Sequence, residues 1–282
     1  MSRTPRTSIT LRTVPQVDQQ HIIAPDLPAG ATWLNERRVK IDVLLRRGPV
    51  MIEFWDFARI NSLRTMPYME EWHRRYHPHG ASVIGVHSPG YTFGADEQLV
   101  TAAVKRLGIE RPVILDPSFS LWRDYGNKGW PGRYLWSVNG DLRYYHYGEG
   151  DYETGELALQ NALREFGVCT ELPAPMSPIR PEDTPGSEFR AQTADIALPP
   201  ETDRVELRGE WEPSADWIEA KTAGATATAS CDAGGAYAVL SGRRVTEPGP
   251  HPLAIEAGRV TVTASEPGMR LHGFQFTPAP GL

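Results

Sequence analysis

The chain has 282 residues, of which 40% are hydrophobic and 23% charged, a composition typical of a soluble globular protein with one large or two ordinary domains. No run of about 18 apolar residues predicts a membrane span. Residues 1–9 are not followed by the apolar stretch of a secretory signal, so we expect a cytoplasmic protein. The formal net charge is −6, and the lack of a basic stripe argues against nucleic acid or an anionic membrane as partners.

Residues 1–170 alternate between predicted strands and helices. A polar segment at residues 1–25 predicts an arm or strand lying on this first domain, and the apolar run 49–54 predicts a buried strand. Apolar side chains recur every three or four positions over 61–76, which indicates a helix that Pro67 should kink. Further strands are predicted at 81–86, 112–115, 133–138 and 142–147, and further helices at 95–107, 120–125 and 155–166. This order indicates an α/β domain with a parallel sheet and a final hairpin.

The rest of the chain differs in composition. Residues 171–200 contain seven prolines, which predicts a stiff, unfolded linker between domains. Residues 201–282 show short alternating runs separated by Gly and Pro, at 204–208, 217–221, 225–230, 237–240, 252–256, 259–264 and 271–276. Short strands at this spacing indicate a small all-β sandwich, resembling a jelly roll.

Residues 53–68 carry a family resemblance. They have the order acid, Phe-Trp, three residues, then Arg-Ile-Asn-Ser-Leu-Arg-Thr-Met-Pro-Tyr. This resembles the thioredoxin-like domain of DipZ-type proteins, in which the last part is Cys-Ile-Asn-Cys-Leu-Arg-Thr-x-Pro-Tyr. Shorter matches follow in the same order, at 33–35, 84–89, 125–127, 130–131 and 148–152. The resemblance covers residues 24–166 and implies a thioredoxin-type sheet with Pro131 in the cis form.

A second resemblance concerns residues 201–282. Some members of the family carry a C-terminal β-sandwich similar to a carbohydrate-binding module. Residues 201–282 resemble a shortened version of it, with matches at 209–211 and 274–277. The resemblance therefore implies a possible glycan partner for this part of the chain.

The chain departs from the family at the two redox positions, where Arg59 and Ser62 replace the nucleophilic and the resolving cysteine. Only a thiolate attacks a disulfide at a useful rate, and a second thiol must then resolve the mixed disulfide. An arginine stays protonated and a serine forms no disulfide. We therefore predict a redox-inactive domain with no cofactor. The only cysteines, Cys169 and Cys231, lie in different predicted domains and are expected to be free thiols.

Two charged residues of the motif have alternative interpretations. Glu53 occupies the family's buried acid position, where it is either a general base of raised pKa or a structural acid paired with a cation. Arg59 should lie at the amino end of the 61–76 helix, where the helix dipole opposes a cation. Compensation by Asp56, by Glu53 or by a bound anion is possible, and so is a solvated arginine. Our hypothesis is an anion or peptide-carboxylate site.

The remaining candidate binding residues surround this position in the fold that the resemblance implies. A cis proline at 131 would leave the backbone near Trp130 free to pair with an extended peptide. Asp56, Asn61, Ser62 and His87 complete the candidate groove. Its aromatic walls would be Trp55, Phe57, Tyr91 and Trp130, although Trp55 is better explained as a core residue.

Other clusters have simpler explanations. His73 and His77 have metal-ligand spacing, but with no evident fourth ligand we predict no metal site. Aromatic rings of the C-terminal part, Trp211, Trp217 and Tyr237, could stack on sugars or form the core of the predicted sandwich.

Together these patterns favour a redox-inactive thioredoxin-like binding or scaffold protein, with a peptide, a protein or a small anion as partner in its groove. One alternative is an enzyme with non-thiol chemistry around Arg59, Glu53 and His87, since fold alone does not determine function. Another is a redoxin-type oxidoreductase that uses Cys169, Cys231 or the thiol of a partner.

Overall fold

The computed structural model describes residues 22–190 and 192–280, so most of the predicted N-terminal arm lies outside the described residues. Six strands build the first sheet: β1 (Trp33–Leu34), β2 (Val50–Trp55), β3 (Ser82–His87), β4 (Val113–Leu115), β5 (Gly132–Trp136) and β6 (Leu142–Tyr147). The helices around it are α1 (Ile41–Leu45), α2 (Ile60–Tyr76), α3 (Glu97–Arg106), α4 (Ser120–Asp124) and α5 (Tyr152–Glu165).

The strand order of this sheet is β1-β4-β3-β2-β5-β6. Strands β2, β3 and β4 are parallel, whereas β1, β5 and β6 run antiparallel to their neighbours. Every residue of β2 is buried, as expected for a central strand covered by helices on both faces of the sheet. The predicted thioredoxin-like α/β fold is confirmed for this part of the chain.

Helix α2 follows β2 after a short loop and places the motif. It begins one residue before the predicted start and continues through Pro67. Its apolar face, with Met69, Trp72 and Tyr76, belongs to a fully buried cluster that also includes residues of α5. Burial of an aliphatic or aromatic side chain contributes about 1.5–3 kcal/mol, so this face fixes the start of α2 above the end of β2.

Residues 192–280, here called the C-terminal part, contain mainly antiparallel strands. These are β8 (Ile196–Ala197), β9 (Val205–Arg208), β10 (Trp211–Pro213), β11 (Ile218–Ala220), β12 (Thr226–Ser230), β13 (Gly235–Gly242), β14 (Gly249–Leu253), β15 (Arg259–Thr263), β16 (Met269–Thr277) and β17 (Ala279–Pro280), and β7 (Phe189–Arg190) precedes them and pairs with β17. One sheet has the order β10-β11-β16-β13-β14 with β8 beside β16, and another has the order β15-β12-β9. Buried residues from both sheets belong to one hydrophobic cluster, and the predicted all-β character is confirmed.

Residues 171–200 differ from the predicted unfolded linker. The backbone N–H of Met176 donates to Glu156 of α5 at 2.8 Å, and that of Ile179 donates to the Tyr68 hydroxyl of α2 at 2.7 Å. Residues 196–197 form β8. The composition excludes a regular helix here, but it does not exclude an extended strap, because side chains of neighbouring helices supply the missing backbone partners. The domain limits 1–170, 171–200 and 201–282 stay predictions.

The strap allows a direct test. Tyr68→Phe removes a hydroxyl that also donates to Asp183 at 2.7 Å. The backbone N–H of Ile179 then has no partner, whereas Asp183 keeps its contacts with Arg180. We expect a loss of about 1–3 kcal/mol in the free energy of unfolding and faster proteolysis within residues 171–190. Denaturant unfolding and limited proteolysis measure the two effects. Tyr145→Phe, at a residue that is 49% exposed, is the control. Unchanged cleavage of the strap would contradict its role.

Candidate functional site

The motif lies where β2 ends and α2 begins. Arg59 is the N-cap residue of α2 and provides no side-chain cap of its own. We use the name motif face for residues 56–62 together with the neighbouring loop 88–93. Because parallel strands bring their carboxyl ends to one edge of a sheet, the loop after β3 lies beside the loop after β2.

Arg59 is held between two aromatic rings. Its guanidinium carbon lies 4.5 Å from the centre of the Tyr91 ring and 5.0 Å from that of Trp130, and Nη2 donates to the Gly90 carbonyl at 3.3 Å. A cation over an aromatic face gains about 0.5–2 kcal/mol, which offsets the 0.3–1 kcal/mol cost of a cation at a helix amino end. The cation that the helix dipole disfavours is thus compensated within the chain.

Asp56 and Ser62 close the loop before α2. The Asp56 carboxylate accepts from the backbone N–H of Ala58 at 2.9 Å and from that of Gly90 at 2.8 Å. The Ser62 hydroxyl accepts from the backbone N–H of Asp56 at 3.2 Å. Both side chains are fully buried, so they bind the loop to itself rather than face a ligand.

Glu53 lies beneath this loop in a buried ion pair with Arg111. Neither side chain has exposed surface, and Arg111 also donates from Nε to Glu70 at 2.8 Å. Burial raises the pKa of Glu53, while the Arg111 guanidinium acts in the opposite direction. Glu53 thus has both a cationic partner and a raised pKa, and its role stays a prediction.

His87, at the end of β3, is 1% exposed. Its Nε2 lies 3.3 Å from the Asp56 carboxylate and 3.5 Å from the backbone N–H of Phe57, and its ring stacks on that of Phe57 with centroids 5.3 Å apart. These contacts place His87 beside Asp56 and Phe57, on the buried side of the motif face. Trp55 is likewise fully buried.

Three candidates remain, of which Trp130 and Asn61 are half-buried and Pro131 is buried. The Trp130–Pro131 peptide bond is cis, as the family resemblance implied. The indole N–H of Trp130 donates to the Ser88 carbonyl at 2.8 Å, and its ring centroid lies 4.4 Å from that of Trp122. Asn61, in the first turn of α2, is half-buried, and its side-chain amide makes no hydrogen bond to any described residue.

The residues that cover the motif face come from the C-terminal part and were not predicted from the sequence. Gln275 of β16 makes hydrogen bonds with the backbone of Ala58 and Ile60. Val239 of β13 is fully buried in the same hydrophobic cluster as Phe57. The only signal in the sequence was a polar residue between Phe274 and Phe276, which strand alternation places on the opposite face of β16.

A second contact joins the two parts of the chain at loop 88–93. The Asp216 carboxylate accepts from the backbone N–H of Thr92 at 2.7 Å and from its hydroxyl at 2.9 Å. The backbone carbonyl of Asp216 lies 2.7 Å from Nδ1 of His272, whose Nε2 lies 2.8 Å from the Ser241 hydroxyl. The His272 ring also contacts Phe93, with centroids 4.7 Å apart. Burial lowers the pKa of His272 to about 4.

The two thiols lie away from the motif face. Cys169 follows α5 and is exposed, whereas Cys231 is buried in the C-terminal part, and both are free. Burial raises the pKa of the Cys231 thiol, which lowers the fraction of thiolate at neutral pH.

The rings of His73 and His77 lie 5.1 Å apart, and the aromatic rings considered for sugar stacking each have a partner within the chain. Trp211 donates its indole N–H to the Arg208 carbonyl at 3.2 Å, Trp217 lies under the Arg270 guanidinium at 4.7 Å, and Tyr237 lies opposite Gln275 on the sheet. All three rings are half-buried. Across residues 22–190 and 192–280, no three His, Cys, Asp or Glu side chains are arranged to hold a metal ion. No helix within these ranges is long and apolar enough to span a membrane.

No protein-family model matches the chain. Among curated proteins, DipZ of Mycobacterium bovis and DipZ of Mycobacterium tuberculosis are each 36% identical to it over 172 residues, which is 60% of this chain and 25% of theirs. SUPPRESSOR OF QUENCHING 1, chloroplastic, of Arabidopsis thaliana is 28% identical over 175 residues, 62% of this chain and 16% of its own length. The chain thus spans a quarter or less of the length of these relatives.

Among solved structures, a thiol-disulfide isomerase from Corynebacterium glutamicum is 23% identical, with a TM-score of 0.45, and the match covers 50% of this chain and 96% of that one. The strand order of the first sheet and the sequence similarity to DipZ both indicate the same type of domain. The chain contains a thioredoxin-like domain, similar in sequence to part of the DipZ proteins.

Proposed function

We propose that this protein is a redox-inactive thioredoxin-fold scaffold whose motif face is the docking platform for its own C-terminal part. The observation that carries the proposal is the cover over the motif face, where Gln275 and Val239 lie against Ala58 and Phe57. Arg59 and Ser62 supply no thiol at the two redox positions. Buried apolar contact of this kind is what a stable interface between domains requires.

The two alternatives have less support. An enzyme that used Glu53 and His87 would need a path to them, and both are buried in internal contacts. An oxidoreductase that used Cys231 would start from a thiol whose pKa burial has raised, and Cys169 has no second thiol beside it. The scaffold needs none of these groups to react.

Three finer features belong to the same proposal. The two antiparallel sheets of the C-terminal part would form a β-sandwich, because buried residues from both share one cluster. Free thiols suit a reducing compartment such as the cytoplasm. A glycan on the C-terminal part or an external partner in the groove stays a prediction that the contacts described above do not favour.

Insulin reduction driven by dithiothreitol tests the proposal. We expect no rate above background for the wild type, because no thiolate lies at the motif. Arg59→Cys/Ser62→Cys should restore only slow turnover, since the C-terminal part still covers the new thiols. Adding Gln275→Ala and Asp216→Ala to this variant should raise the rate, because both substitutions weaken the cover.

The matched control is Cys169→Ser/Cys231→Ser in the wild-type background, which should equal the wild type. Insulin reduction by the wild type, lost in this control, would contradict the proposal and favour an oxidoreductase that uses its other thiols. Full reductase activity of Arg59→Cys/Ser62→Cys alone would show that the motif face is open, and would refute the docking platform.

A further inference from the structure

The contact of Gln275 with the motif face has the form of a recognition site. Its Oε1 accepts from the backbone N–H of Ile60 at 2.7 Å. Its Nε2 donates to the Ala58 carbonyl at 2.9 Å and to the Tyr91 hydroxyl at 3.2 Å. The side chain is 1% exposed, so every polar group of the amide is satisfied by protein atoms of the motif face.

The orientation of this amide is determined by its partners. A backbone N–H can only donate and a backbone carbonyl can only accept, so Oε1 must face Ile60 and Nε2 must face Ala58. A carboxylate in the same place would put an oxygen against the Ala58 carbonyl. An ammonium group would leave the Ile60 N–H without an acceptor. The three groups of the motif face therefore match a carboxamide and neither type of charged group.

The need for this partner comes from the fold of the first part of the chain. The first N–H groups of a helix have no partner within the helix, and Arg59 does not cap α2 with its side chain. The Ile60 N–H and the Ala58 carbonyl lie on either side of the residue that replaces the nucleophilic cysteine. Once covered, each would cost free energy if left unpaired.

We propose that the motif face is a carboxamide-binding site, that Gln275 fills it within the chain, and that an external ligand of this face must offer an amide and displace the C-terminal part. This inference rests on the proposed docking platform and names the chemistry that the platform recognises. Either a Gln or Asn side chain or a main-chain peptide group has the required acceptor and donor. Only a primary amide has the second donor that Tyr91 accepts.

Chemical rescue of Gln275→Ala tests the site in the full-length chain. The substitution removes a fragment equivalent to acetamide. Two buried backbone groups lose their partners, so we expect the thermal midpoint to fall by several degrees. Acetamide near 1 M should raise the midpoint of the variant, because a ligand of the native state stabilises it.

Three comparisons make the rescue specific. The wild type, whose site is filled, should gain nothing from acetamide beyond the general solvent effect. N,N-dimethylacetamide, which has no N–H donor, should not rescue the variant. N-methylacetamide resembles a main-chain peptide group. Rescue equal to that by acetamide assigns the site to peptide main chains, and weaker rescue assigns it to Gln or Asn side chains.

If the cavity in Gln275→Ala collapses and acetamide has no room to bind, Gln275→Glu provides an independent test. Its new carboxylate should lower the midpoint relative to the wild type at pH 7, and the difference should shrink as the pH falls and the carboxyl gains a donor proton. Equal effects of acetamide on wild type and Gln275→Ala, or a glutamate variant as stable as the wild type at pH 7, would overturn the inference. Insulin reduction by the wild type would refute redox inactivity but leave the rescue unaffected.

Discussion

Replacing Arg111 with methionine should lower the free energy of unfolding by about 3–5 kcal/mol at pH 7, because Glu53 would be left buried without its ion-pair partner. Neither side chain has exposed surface, and the wild-type carboxylate contacts Arg111 directly. Denaturant unfolding followed by circular dichroism measures the loss.

The loss in Arg111→Met should also depend on pH. Without Arg111, the pKa of Glu53 in the folded state rises further above its value in the unfolded chain, so the folded state binds the extra proton. Such a group stabilises the fold below its unfolded pKa, and this stabilisation is lost as the pH rises through the folded pKa. The variant should therefore be closest to the wild type in acid and furthest from it at neutral pH.

Two controls separate the buried charge from other effects of the substitution. Glu53→Gln/Arg111→Met removes both charges and should recover much of the loss, since no uncompensated carboxylate remains. Arg46→Met breaks an exposed pair with Asp42 and should change stability by less than about 1 kcal/mol. A double variant no more stable than Arg111→Met would show that packing, rather than the charge of Glu53, requires the arginine.

Acidification should weaken the protein through His272. Burial lowers the pKa of His272 to about 4, from an ordinary value near 6.5. Between these two values the unfolded chain binds a proton at this position and the folded chain does not, so stability rises with pH across the window. As the pH falls from about 6.5 to about 4, we expect a loss of about 3 kcal/mol from this group.

The difference between wild type and His272→Gln isolates this contribution, because carboxyl groups titrate in the same range in both proteins. Glutamine keeps a donor for the Asp216 carbonyl and an acceptor for Ser241 but cannot gain a proton. Stability measured from pH 7 to pH 4 should fall less steeply in the variant. Gln98→Ala, at an exposed residue without a titratable group, should keep the wild-type slope. Parallel curves for the wild type and His272→Gln would contradict this expectation.

The position of His272 links its titration to the motif face. Its ring lies against Phe93, and Asp216 binds Thr92 in the same loop. A positive charge placed here would be poorly solvated and would lie near the Arg270 guanidinium. The Asp216 carboxylate, 3.8 Å from Nδ1, offsets only part of this cost. We therefore expect the contact between the two parts of the chain to weaken before the first sheet unfolds, which hydrogen exchange at pH 4 and pH 7 can resolve.

Local features of the chain were predictable from the sequence. The apolar run of β2 predicted a strand that is buried on both faces. The three- and four-residue spacing of apolar side chains in α2 predicted a helix that is buried on one face. The position of Arg59 at the start of α2 was predicted from the motif, and the absence of cysteine at residues 59 and 62 is read directly from the sequence. Seven predicted runs correspond to β9 and β11–β16, although β14 (Gly249–Leu253) overlaps its predicted run 252–256 by only two residues. The short β7, β8, β10 and β17 were not predicted.

The tertiary structure decided what covers these elements. Glu53 pairs with Arg111, 58 residues away, and Ile60 pairs with Gln275, 215 residues away. Periodicity shows which face of a strand is apolar, but it does not show which distant face packs against it. The composition of the proline-rich segment did not predict an ordered strap, because its hydrogen-bond partners are side chains of α2 and α5. The sequence by itself therefore determined the fold of the first part and the absence of thiols at its motif. Only long-range packing decided that the motif face is filled by the chain's own C-terminal part.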